Sequence, residues 1–123
     1  MKPSTGKGAR YESQAANYLC DRGLLLLQQN FHCRFGEIDL IMREQDFICF
    51  IEVKYRKSHG FDGAIGAIPP AKQRKIIQTA RFFIAQHPQH ADSAFRFDAF
   101  LIQQQADGSE QIDWIKSAFD VEE

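Results

Sequence analysis

Four charged residues stand in segments whose apolar character argues for burial. Phe47 to Val53 is an almost unbroken apolar run, the pattern of a strand covered on both faces. Glu52 and Lys54 break into its end. Side chains alternate along a strand, so Glu52 and Lys54 share a face and Val53 takes the other. The segment before it, Glu37 to Met42, repeats the arrangement, with Glu37 and Asp39 on one face and Ile38 and Leu40 on the other. The short polar connection Arg43–Asp46 makes the two segments an antiparallel hairpin. With Glu44–Phe47 as a four-residue loop, opposed residue numbers sum to 91. Asp39 then faces Glu52, and Glu37 faces Lys54. A one-residue slip would move Asp39 and Glu52 to opposite faces. Two opposed carboxylates repel, and a charge taken out of water costs several kcal/mol unless it is paired or bound to metal. A divalent cation is one remedy, since Mg²⁺ takes a few carboxylate oxygens and keeps several waters. The other reading is a solvated ladder of charges on the open face of a sheet. Spacing alone leaves both open.

The elements that must position these residues follow from periodicity. Residues 10–22 carry Tyr11, Ala15, Tyr18 and Leu19 at helical spacing, and Gly23 is placed to end the helix. Leu24–Asn30 reads as a strand, followed by the two hairpin strands, Glu37–Met42 and Phe47–Tyr55. Ser58–Pro70 holds three glycines and two prolines and reads as a loop. Ala71–Gln86, behind Pro69 and Pro70, places Ile76, Ile77, Ala80, Phe83 and Ile84 on one face of a second helix. Ala94–Ile102 reads as a strand, Asp107-Gly108 as a turn, and Ile112–Ile115 as a short edge segment. The order is αβββαβ plus a weak last strand, a small sheet flanked by helices. Cys20, Cys49 and Cys33 form no Cys-x-x-Cys pair, and the first two read as small core residues.

At 123 residues the chain is expected to form one domain, over 10–117, between a polar Gly-rich tail, 1–9, and an acidic tail, 118–123. No apolar stretch opens Met1–Ala9, and purely apolar runs such as Leu24–Leu27 and Phe47–Ile51 are far too short to span a bilayer. A cytoplasmic protein with no membrane partner is expected. The formal net charge of −1 argues against a nucleic-acid partner, because such domains are usually basic. The total conceals a segregated chain. Residues 1–36 carry +3, 37–53 carry −4, 54–81 carry +6 and 82–123 carry −6. A basic block thus follows the acidic one directly.

Gly36-Glu37-Ile38-Asp39-Leu40-Ile41 followed by Phe50-Ile51-Glu52-Val53-Lys54-Tyr55-Arg56 resembles the signature of the YraN family of small bacterial proteins. Gly8, Glu12, Ala15, Leu19, Gly23, Asn30, Lys72, Ala80 and Arg96-Phe97-Asp98 match as well, in order, over roughly residues 6–102. That family in turn resembles the PD-(D/E)-x-K nucleases and the archaeal Holliday-junction resolvases. The resemblance implies an α/β restriction-endonuclease-like core, αβββαβ, with a mixed central sheet flanked by helices. It makes Asp39 the motif aspartate, in an Ile-Asp rather than Pro-Asp context, and Glu52 and Lys54 the E-x-K. It also implies that Glu12, on the first helix, completes a metal site.

The implied activity is hydrolysis of phosphodiester bonds in structured or branched DNA. Mg²⁺ or Mn²⁺ would be held by Asp39, Glu52, Glu12 and the Val53 carbonyl, and would polarise the phosphate and acidify a water. Lys54 would orient that water or meet the developing charge. Glu37 is a candidate ligand of a second metal, or else pairs with Lys54 or a basic neighbour. Arg56, Lys57, Lys72, Arg74, Lys75 and Arg81 form the candidate phosphate track, with Lys72 in the first turn of a helix, where free N–H groups favour an anion. Phe61, in the Gly-rich loop, is a candidate stacking residue. A homodimer would supply the two active sites that a symmetric junction cut needs. The competing readings are a nucleic-acid-binding module without turnover and a protein–protein adaptor in which some of the eleven phenylalanines serve an interface.

Overall fold

The computed structural model describes residues 6–57 and 68–121. The order is α1 (Gly6–Cys20), β1 (Leu25–Cys33), β2 (Gly36–Glu44), β3 (Phe47–Lys57), α2 (Pro70–Gln86), a 3₁₀ turn (Pro88–His90), β4 (Ala94–Gln104) and β5 (Glu110–Phe119). The five strands form one sheet in the order β1-β2-β3-β4-β5. Only the β3–β4 pair is parallel, and it is the one pair whose connection carries a helix, as a parallel crossover requires. This is the mixed α/β, restriction-endonuclease-like architecture.

β3 sits in the middle of the sheet, and Ile48, Cys49, Phe50 and Ile51 are buried on both of its faces. The two faces carry separate cores. On one, α2 packs Ile76, Ala80 and Phe83 against Ile38, Ile48, Phe50, Phe97 and Leu101. On the other, α1 packs Tyr11, Ala15, Ala16 and Leu19 against Leu40, Met42, Ile51, Phe100 and Ile102. Each helix therefore faces the sheet with one apolar stripe. Close passage of α2 over the start of β2 explains Gly36. A Cβ there would lie 3.2 Å from Thr79 Oγ1, at a φ of +151°.

Several boundaries differ from expectation. α1 starts at Gly6, inside the stretch 1–9 read as a tail, and ends at Cys20, where Asp21–Gly23 turn the chain. Cys20 is exposed rather than a core residue, because it lies beyond the edge of the Tyr11–Ala15–Leu19 stripe. β1 continues past Asn30 to Cys33. Asn30 adopts a left-handed φ of 57°, a conformation that asparagine tolerates, and pairing resumes at Phe31 and His32. β5 is a full strand to Phe119, so it enters the segment 118–123 read as a tail. β4 supplies a partner along nearly its whole length, which its weak local pattern could not reveal. Most of the Ser58–Pro70 loop, Phe61 included, lies outside the described residues.

Candidate functional site

The hairpin has the expected register. Glu44 opposes Phe47 and Leu40 opposes Ile51. One residue beyond that ladder, the Asp39 side chain takes over. Its Oδ2 accepts the Val53 N–H at 2.8 Å. A carboxylate thus occupies the gap between the ends of β2 and β3, fixed by the amide at the centre of the Glu52-Val53-Lys54 triplet.

α1 brings a second acid to this point. Glu12 is 7% exposed, lines the same cavity as Asp39 and lies close enough to raise the Asp39 carboxyl. Its position has a simple origin. On a helix of 3.6 residues per turn, Glu12 falls in the middle of the stripe formed by Tyr11, Ala15, Ala16 and Leu19. Two buried carboxyl groups this close repel unless a proton or a cation comes between them. Burial pushes the Asp39 carboxyl up to about 7, the Val53 N–H pulls it down, and Glu12 and Glu37 raise it further. A cavity of about 230 Å³ opens here, lined by Gly8, Tyr11, Glu12, Asp39, Val53 and Tyr55. The rings of Tyr11 and Tyr55 stack in its wall, 4.1 Å apart. These two tyrosines were missed in the sequence, although Tyr11 adjoins Glu12 and Tyr55 shares a strand face with Val53.

Glu52 lies close enough for the Asp39 charge to raise its carboxyl, after burial itself. Lys72 and Lys54 act in the opposite direction. Lys72 Nζ, from the first turn of α2, is 3.2 Å from Glu52 Oε2, with the Glu52 side chain 13% exposed and the Lys72 side chain 45%. Burial lowers the Lys72 ammonium, but Glu52, with Asp39 and Glu37 behind it, more than offsets this and leaves it raised. Glu37 pairs with His32, a basic neighbour directly across the strands, at 2.6 Å.

The basic residues do not form one track. Arg56 and Lys57 continue β3 beyond the site. Lys72 and Lys75 point to one side of α2. Arg74 and Arg81, seven residues apart and nearly in line, point to the other. Arg81 rims a different cavity of about 620 Å³, lined by Phe50, Ile77, Ile84, Phe95, Phe97 and Val121 among others. Among the described residues, no three or more His, Cys, Asp and Glu close into a ready-made metal cage. The donors at hand are Asp39 and Glu12, with Glu52 nearby. This set could hold a hard cation that keeps most of its waters.

A second group of buried charges lies elsewhere in the sheet. Asp98 is 1% exposed and accepts hydrogen bonds from Arg96 Nε at 2.9 Å, Arg96 Nη2 at 3.0 Å, Trp114 Nε1 at 3.0 Å and Ser117 N at 3.0 Å. Arg96 also reaches Glu44 at 2.8 Å, and Lys116 joins Glu44 at 3.2 Å. The Ser117 amide comes from a residue with a φ of 55°, beside the shift of register between β4 and β5.

Sheet order and helix placement define a restriction-endonuclease-like α/β domain. The chain belongs to the uncharacterised protein family UPF0102, the YraN family, whose model matches residues 11–102. A member from Nitrosomonas europaea is 46% identical over 120 residues, covering 98% of each chain. One from Psychromonas ingrahamii is 46% identical over 120 residues, covering 97% of this chain and 93% of its own. One from Alcanivorax borkumensis is 39% identical over 118 residues, covering 96% and 93%. No helix among the described residues is long and apolar enough to cross a membrane.

Proposed function

We propose that the chain is a metal-dependent endonuclease acting on structured or branched DNA in the cytoplasm. The observation that carries this reading is the Asp39 carboxylate. It is tied to the Val53 N–H inside the E-x-K triplet, pressed against Glu12 and pushed up to about 7. Crowded acids at the open end of a hairpin are costly to the fold without a counter-charge, and a divalent cation provides one. When bound, Mg²⁺ or Mn²⁺ would supply Lewis-acid polarisation of the phosphate and a water acidic enough to attack it.

The remaining roles belong to the chain's own groups. Asp39 and Glu12 hold the cation, with Glu52 and the Val53 carbonyl as further donors. Lys54, two residues along the strand from Glu52, orients the attacking water or meets the charge developing on phosphorus oxygens. Arg56, Lys57, Lys72 and Lys75 attract the backbone phosphates. Two copies of the chain would give the paired sites that a symmetric junction cut needs.

The test is a panel of labelled single-stranded, duplex, flap and four-way-junction DNAs, incubated with Mg²⁺ or Mn²⁺. The wild type should cut at least one, and Asp39→Ala and Lys54→Ala should lose about a hundredfold or more of the rate. Cleavage that survives in both variants sinks the site assignment. One observation favours the alternative of binding without turnover: the Lys72 ammonium already sits on Glu52. Wild-type protein that binds the panel but never cuts it would decide for that alternative.

A further inference from the structure

Glu52 and Lys72 come from β3 and from the first turn of α2, and their contact joins the proposed cation site to the basic helix. We propose that Lys72 is a positioning residue that holds Glu52 while the site lacks a cation, then passes to a backbone phosphate of the nucleic acid when the cation takes Glu52. Cation and nucleic acid therefore bind cooperatively. The inference rests on the nuclease reading above and assigns the coupling between its two ligands.

Three features carry it. First, the pair is lopsided in burial. Glu52 is 13% exposed and fixed in the central strand, whereas Lys72 is 45% exposed, with Nζ 3.2 Å from Oε2. A buried carboxylate needs a counter-charge at all times. The ammonium, on a flexible four-carbon stem with water on one side, can leave without unpacking anything. Second, the pair is close to Asp39. The Asp39 charge acts on both Glu52 and Lys72, so a divalent cation drawn to Asp39 competes with Lys72 for the Glu52 oxygens. Third, the surroundings of Lys72 suit a phosphate. The first turn of α2 has no acidic residue, and Lys75 lies one turn further along the same side. A released Lys72 thus adds its charge to one already there.

The test needs no turnover. Mn²⁺ is titrated into the full chain without nucleic acid and followed by calorimetry or electron paramagnetic resonance. Lys72→Met, which removes the competing charge, should bind Mn²⁺ about threefold to fivefold more tightly than the wild type, the span of a partly exposed ion pair. In a Glu52→Gln background the same substitution should change nothing. Binding of a fluorescent duplex, compared in Ca²⁺ and in EDTA, is the second readout. The wild type should gain affinity in Ca²⁺, and Lys72→Met should lose that gain. Unchanged or weaker Mn²⁺ binding by a folded Lys72→Met, with Lys72→Arg behaving as wild type, overturns the proposal and leaves the site reading intact. If the wild type binds no Mn²⁺, or Asp39→Ala binds it equally well, the site reading itself fails and the coupling fails with it.

Discussion

Asp98 and Asp39 both carry a carboxylate away from water within one five-stranded sheet, and their surroundings are opposite. Asp98 is met by four donor groups, two of them on the Arg96 guanidinium, and the charge of Arg96 is shared onward with Glu44. Asp39 receives one backbone N–H, and the acids Glu12 and Glu37 crowd it with like charge. One region is neutralised by its own side chains. The other is left with excess negative charge, beside a cavity open enough for a cation and its waters. A buried charge fully satisfied from within fixes geometry; one left short of positive charge is costly to the fold and marks a site for something external. The difference separates an acid that the fold itself satisfies from the one on which the proposed site is built.

The comparison can be broken most forcefully at Asp98. Asp98→Ala leaves the Arg96 guanidinium beneath the surface with Glu44 as its carboxylate partner, and breaking a buried pair costs about 3–5 kcal/mol. Urea unfolding should show that loss. A loss below about 1 kcal/mol would mean that the network contributes little. Asp39→Asn should act in the opposite direction. Raising a carboxyl from its ordinary 3.8 to about 7 means that the folded state holds the proton better than the unfolded one. The penalty for the charged form is complete above pH 7 and fades as pH falls from 7 towards 3.8. Removing the charge should therefore raise stability at pH 8 by on the order of 2 kcal/mol when no divalent metal is present. That gain should shrink steadily down to pH 4. Thermal unfolding with EDTA across this range is the measurement, and a gain that grows on acidification would reverse the assignment. Trp114→Phe removes one of four donors from Asp98 and keeps the ring packing. The expected cost is about 1.5 kcal/mol, visible in the urea midpoint with no effect on Mn²⁺ binding.

Much of the proposed site can be read from the sequence, for local reasons. The hairpin closes through Arg43–Asp46, so its register follows from loop length, and the predicted opposition recurs from Glu44↔Phe47 to Leu40↔Ile51. The apolar run Ile48–Ile51 identifies the central strand because only a strand covered on both faces has no place for polar residues. Glu12 could have been located by the same logic, since the apolar stripe of α1 runs on either side of it.

What the sequence determined, then, is whatever depends on neighbours a few residues apart: the helix stripes, the hairpin register, the intrusion of Glu52 and Lys54 into an apolar strand, and the basic block after the acidic one. The tertiary structure alone decided which charges meet. Lys72 reaches Glu52 across twenty residues of chain, and the set of basic residues divides between two sides of α2 because a helix turns 100° per residue. Asp98 gathers Trp114 and Ser117 from a strand whose own sequence scarcely marks it as one. Such pairings depend on how the helices cross the sheet, which packing on both of its faces sets together and no single segment encodes.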